Sequence, residues 1–233
     1  MRCSWLALTL LVSSIPAFAV EPVVAPGVRA HYRSEVVGLD AERRETAKDS
    51  EWLFERSGSR VKISDISGRH AEQWDHDSAG RVWYSRTFHM ERKVIEYQPT
   101  DLSMAGIEGS WERIRQIIGA DLLHRLTRGT EERTIAGHRA VVYGGVLDDV
   151  ETKVVWLEGL AIPAFVEKRL RGVRSSLTLI SVDTAGADGI VSSGPPVPTD
   201  YETLDFSDLG DRESDPFVAA LMKYESGWFG HGH

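Results

Sequence analysis

Between Arg139 and Thr184 the chain reads RAVVYGGVLDDVETKVVWLEGLAIPAFVEKRLRGVRSSLTLISVDT. Four apolar-rich runs stand out in it, Ala140–Tyr143, Lys153–Leu157, Ile162–Leu170 and Ser176–Val182, separated by turn-forming Gly and Asp residues. Runs of that length with those breaks are the pattern of consecutive strands, so the stretch predicts a four-stranded antiparallel meander. Pro163 lacks an N–H to give to a ladder, which puts it at the start of its strand or on an edge.

The same pattern extends upstream. Arg29–Val37 alternates crudely and predicts a first strand, and the charged segment Asp40–Ser50 predicts an exposed hairpin end or strand extension. From Glu51 to Gln98 the large residues recur at one in two: Trp52 and Phe54, Val61 and Ile63, Trp74, Val82 and Tyr84, Ile95 and Tyr97. Turn residues at Ser57-Gly58-Ser59, Ser67-Gly68 and Asp77-Ser78-Ala79-Gly80 divide them into about five strands with one apolar face.

After Pro99 the period changes. Trp111, Ile114, Ile117, Ile118, Leu122, Leu123 and Leu126 recur at intervals of three and four, which predicts an amphipathic helix capped by Ser110, interrupted near Gly119 and stopped at Gly129. Ala185–Asp200 is rich in Gly, Ser and Pro and reads as an irregular connection. Asp200–Asp215 holds seven carboxylates and one arginine, the composition of a solvated acidic segment. Asp215-Pro216 then predicts a cap and first turn for a short helix whose face Phe217, Ala220, Leu221 and Tyr224 docks on the body.

Met1-Arg2, the apolar run Trp5–Ile15 and the small-x-small box Ala17-Phe18-Ala19 have the order of a secretory signal peptide cleaved after Ala19. The single cysteine, Cys3, lies before that run, so a mature chain has no thiol for a disulfide, a lipid anchor or a thiolate metal site. No later run is long enough for a transmembrane helix. A net charge of −8 argues against nucleic acid and against charge-driven binding to anionic membranes, leaving only a local basic face open.

The order KVIEYQPTDL (Lys93–Leu102), helix, GHRAVVY (Gly137–Tyr143), VVWL (Val154–Leu157), IPAFVEK (Ile162–Lys168) and LTLISV (Leu177–Val182) resembles the LolA-like periplasmic lipoprotein carriers and related outer-membrane lipoprotein-sorting proteins. The likeness covers about residues 28–183. It implies a mainly β fold, a curved antiparallel sheet forming an incomplete barrel covered by one or two helices. It also implies a soluble periplasmic, non-catalytic protein whose concave face takes a hydrophobic or lipidic ligand or an acylated envelope protein, with no cofactor.

The candidate cavity lining is Trp52, Phe54, Trp74, Trp83, Tyr84, Tyr97 and Trp156, with Trp111, Ile114, Ile118 and Leu122 as a lid. The rival expectations are an envelope-interaction module that uses the acidic tail and, behind it, a metal site at His231 and His233. Asp75-His76-Asp77 and Asp148-Asp149 read as turn residues, and the acidic run fails the calcium-loop template because Leu209 and Pro216 occupy ligand positions. No nucleophile elbow, zinc helix or phosphate loop is present in the sequence. Intact-mass measurement of the exported protein is expected to place its first residue at Val20.

Overall fold

The computed structural model describes residues 27–39, 45–107, 110–185 and 199–221. Turn chemistry sets the second half of the sheet. Strand β7 (Thr127–Ile135) turns into β8 (His138–Leu147) through Ala136-Gly137. Asp148-Asp149 joins β8 to β9 (Val150–Leu157), and Arg171-Gly172 joins β10 (Ile162–Leu170) to β11 (Val173–Ala185). Both central residues of each turn have positive φ, the left-handed pair whose twist matches that of hairpin strands. Pro163 precedes Phe165, the first β10 residue paired with β11, so its missing N–H interrupts no ladder there.

Upstream, β1 (Gly27–Leu39), β2 (Glu45–Ser57), β3 (Arg60–Asp65), β4 (His70–His76), β5 (Val82–Phe88) and β6 (Lys93–Tyr97) form a second meander. β1 pairs with both β2 and β11, fusing the meanders into one open, curved sheet. The order is β12-β6-β5-β4-β3-β2-β1-β11-β10-β9-β8-β7, antiparallel except where β12 (Glu202–Asp205) runs parallel to β6. The expected mainly β, incompletely closed architecture is therefore the observed one.

Two strands depart from the sequence expectation. β7 lies where the helix was expected to run on to Gly129; it is an edge strand, charged and exposed, and so has no apolar alternation to reveal it. Gly129 sits inside β7 instead, where a Cβ would come within 3.2 Å of the Val142 carbonyl oxygen. β12 falls in the stretch read as solvated acid. Its Leu204, with Leu209, Val218 and Leu221, belongs to the main core.

Four of the seven carboxylates of that stretch have partners on the body. Asp200 pairs with Arg92, Glu202 and Asp215 lie 3.0 and 2.8 Å from Lys93 Nζ, and Asp205 accepts from Gln98 at 3.2 Å. Asp215 also accepts from the Phe217 N–H at 2.8 Å, capping α4 (residues 216–221) as expected.

The long helix divides at Ile117, whose φ is 70°. After the short α1 (Asp101–Met104), Ser110 caps α2 (Trp111–Gln116), accepting from the Arg113 N–H at 3.2 Å. Trp111, Ile114 and Ile117 pack on the main core. Ile118 and, in α3 (Ala120–Arg125), Leu122 and Leu123 pack on a separate cluster of Leu126, Val154, Trp156 and Val166. The break lets one segment cover two clusters.

Two buried side chains tie distant strands together. Tyr32 Oη of β1 donates to the Pro163 carbonyl at 2.8 Å. Arg56, at the end of β2 and 1% exposed, donates to the carbonyls of Arg115 and Leu160 at 2.6 Å each and of Ala161 at 3.4 Å. It thereby joins β2 to the end of α2 and to the β9–β10 turn. Burial, and then the neighbouring Arg115, lower its pKa to about 10, which leaves it charged at neutral pH.

Replacing Arg56 by Met should cost about 3 kcal/mol, because buried carbonyls lose their donor, whereas Arg60→Met on the exposed surface should cost under about 0.5 kcal/mol; urea unfolding compares them. A chain ending at Thr199 should fail to give a cooperative thermal transition, since it lacks four core aliphatics.

Candidate functional site

The register across β1–β6 sorts the inward face into rows. Val28, Arg56, Val61, Trp74, Tyr84 and Tyr97 lie opposite one another in turn, and the rings of Trp74, Tyr84 and Tyr97 follow at 4.7 and 4.9 Å. Phe206, in the 3-10 helix Phe206–Arg212, stacks on Tyr97 at 4.7 Å, and this end of the face is filled. Phe54, Trp74, Tyr84 and Tyr97, expected to line a cavity, are core residues at 9% exposure or less.

The neighbouring row, Ala30, Phe54, Ile63, Glu72, Arg86 and Ile95, sets two charged residues among apolar ones. Beyond it the face opens into a cleft of about 610 Å³. Trp52, Ile63 and Phe88 supply apolar floor, and Phe217, Ala220 and Leu221 of α4 form a wall. Trp52 is held by a ring stack on Tyr32 at 4.9 Å and by its indole N–H donating to Ser34 Oγ at 2.8 Å. Phe88 meets Phe217 edge-on at 5.1 Å, and Lys93 Nζ lies 5.2 Å over the Phe217 ring.

Glu72 and Arg86 give this cleft its polar interior. Burial raises the Glu72 carboxyl above its ordinary value of 4.5, while Arg86 and a hydrogen bond from Tyr84 act in the opposite direction and only partly offset it. The Arg86 guanidinium lies 5.2 Å over the Phe88 ring. Neither residue was singled out from the sequence, although each stands two positions from an inward aromatic, Trp74 or Tyr84, and so shares its face.

The remaining candidates lie elsewhere. Trp83 projects to the face opposite Tyr84, 40% exposed, with its N–H 3.4 Å from Asp77. One-residue spacing from Tyr84 excludes it from the concave face. Trp156 is in the separate cluster with Ile118 and Leu122, while Trp111 and Ile114 pack on the main core. None of the four lid residues lines this cleft; α4 takes that place.

Asp77 is a turn acceptor, as read from the sequence. Backbone and side-chain hydrogen bonds from Arg81 foremost, aided by the Ala79 N–H, lower its pKa to about 2. His76 stacks on Trp111 at 5.0 Å. His231 and His233 lie outside the described residues, and among the described residues no group of three His, Cys, Asp or Glu is placed to hold a metal ion. Among the described residues no helix is long and apolar enough to cross a membrane.

No protein-family model and no curated protein matches this chain. Solved structures do resemble it. PNGF-II matches with a TM-score of 0.44 and 8% identity over 82% of this chain and 34% of its own. MucB matches at 0.38 and 13%, over 69% of this chain and 54% of its own. A LolA superfamily protein from Nitrosomonas europaea matches at 0.30 and 11%, over 69% and 87%.

The chain thus spans about a third of PNGF-II and about half of MucB. The LolA-like resemblance of the sequence recurs in this comparison. At these scores and identities it transfers no ligand, partner or activity.

The raised pKa of Glu72 makes a signed prediction. A raised carboxyl contributes stability that is present below 4.5 and lost as pH rises through the folded-state pKa. Glu72→Gln has no such loss, so its melting temperature should match the parent's below pH 4.5 and rise above it at higher pH. Equal melting profiles at every pH would remove burial as the dominant influence on this carboxyl.

Proposed function

We propose that the protein is a non-catalytic binding protein of the bacterial periplasm that takes the acyl portion of a lipid or lipoprotein into the cleft between β2–β5 and α4. The observation that carries the proposal is the cleft itself: about 610 Å³, with Trp52, Ile63, Phe88, Phe217 and Leu221 presenting apolar surface. That volume is within the range of small-molecule sites. Each methylene transferred from water to such a surface contributes about 0.8 kcal/mol, so apolar burial supplies affinity without a covalent step. The leader pattern Met1–Ala19 supports export.

Glu72 and Arg86 bear on how the ligand lies. They interrupt an otherwise apolar row, which favours an acyl chain along Trp52 and Phe88 with its polar end toward the pair. Reversible release follows from the same physics, because burial without bond formation ends when a more apolar acceptor is offered.

Titration with a fluorescent fatty-acyl probe tests the proposal, alongside native mass spectrometry of protein purified without detergent. Saturable binding and a co-purifying acyl mass removed by organic solvent are expected. Ala220→Arg, which fills the cleft from the exposed side of α4, should weaken probe binding at least tenfold. Trp83→Ala on the opposite face should leave it unchanged. Absence of both saturable binding and acyl mass, or equal losses in the two variants, would overturn the reading.

A further inference from the structure

One end of the sheet separates its charges by face. The register of β2, β1, β11, β10 and β9 aligns Asp49, Glu35, Ser176, Glu167 and Lys153 in one row, and Ala47, Val37, Arg174, Arg169 and Glu151 two positions along the strands. The row between them is Lys48, Val36, Ser175, Lys168 and Thr152, which faces the other side of the sheet. All the carboxylates of these rows are on the first face. There Arg169 pairs with Glu167 at 2.8 Å and Arg174 with Glu35 at 3.1 Å.

Among the described residues of these rows and of the β10–β11 hairpin end, the opposite face carries cations and aliphatics without acids. Leu170 and Val173 pair across the hairpin end beyond Lys168 and Ser175, and Val173 lies against Gly38 beside Val36. Val36, Leu170 and Val173 are 47%, 40% and 46% exposed. Lys48, Lys168 and the turn residue Arg171 are exposed, and no ion pair involves them among the described residues. From Lys168 to Val182 the sequence has four cations and no carboxylate, in a chain with 35 Asp and Glu.

We propose that this face of the β10–β11 hairpin end, with Val36 and Lys48 beside it, docks on an anionic lipid surface. Exposed aliphatics on a strand face suit a fluid interface into which they can sink while the long stems of Lys48, Lys168 and Arg171 keep their charges at the headgroups. The overall charge of −8 does not oppose this contact, because screening at physiological salt acts over about 8 Å and leaves the local cations dominant. Ser50 and Trp52 follow Lys48 at two-residue steps on the same strand face, so a docked hairpin brings the cleft close to the membrane. The docking surface stands whether or not the cleft takes an acyl chain.

Vesicle co-sedimentation of the chain beginning at Val20, which keeps every described residue, tests this surface. Vesicles of phosphatidylcholine alone are compared with vesicles that also contain phosphatidylglycerol. Binding is expected only to the anionic vesicles and should fall as salt rises. Lys168→Gln should weaken it about fivefold, the loss of one cation at the surface, and Lys168→Glu further. Leu170→Asp should weaken it as well, whereas Lys153→Gln on the carboxylate-bearing face should not; circular dichroism checks that each variant is folded. No sedimentation with anionic vesicles, equal sedimentation with neutral ones, or an equal loss in Lys153→Gln and Lys168→Gln would overturn the proposal.

Discussion

The buried Arg56 guanidinium is the constraint on which the curved sheet depends. It belongs to β2, yet two of its acceptors, the Leu160 and Ala161 carbonyls, lie in the β9–β10 turn, with β1, β11 and β10 intervening in the strand order. Only a strongly bent sheet brings those groups within hydrogen-bond reach. The Tyr32 hydroxyl on the Pro163 carbonyl makes a second, shorter crossing. A charged group in that position is costly to bury, and its hydrogen bonds to carbonyls keep it there. Arg56 also holds the end of α2 through the Arg115 carbonyl, so curvature and helical cover are set by one side chain.

Curvature makes an inside, and cover decides how much of it remains open. At the Trp74–Tyr84–Tyr97 end, aromatic side chains, the 3-10 helix and α2 fill the concavity. At the Trp52–Phe88 end, α4 packs through Phe217, Val218 and Leu221 and walls the cleft. The tail reaches that place because β12 adds to β6 and Lys93 lies between Glu202 and Asp215. Asp200, Glu202, Asp205 and Asp215 therefore dock the tail onto the body, and the seeming appendage is a wall of the candidate site.

The division of labour between faces extends to the far hairpins. A strand with period two can carry acids on one side and lysines on the other without either being visible in net charge. The cleft and the basic, aliphatic hairpin end share the face of β2 that carries Lys48, Ser50 and Trp52. The sheet places the cleft and the exposed cations and aliphatics a few residues apart along one strand.

Much of the fold was legible in the residues themselves. Alternation of Trp52, Phe54, Val61 and Ile63 predicted strands, the two-residue turns predicted hairpins, and Ser110 and Asp215 marked helix starts. Those signals are local, arising from backbone sterics and side-chain period within a few residues. β7 and β12 carried no such signal because edge strands need only one neighbour and little apolar surface.

The site was less legible. Trp52, Phe54, Trp74, Tyr84 and Tyr97 look the same in sequence whether they fill a core or line a cleft. Only the tertiary structure decided that, along with the roles of Arg56, Glu72 and α4. Each depends on which strand or helix, a hundred residues away or more in some cases, comes to lie across the sheet, and free energies of burial are set by that partner and not by the residue alone.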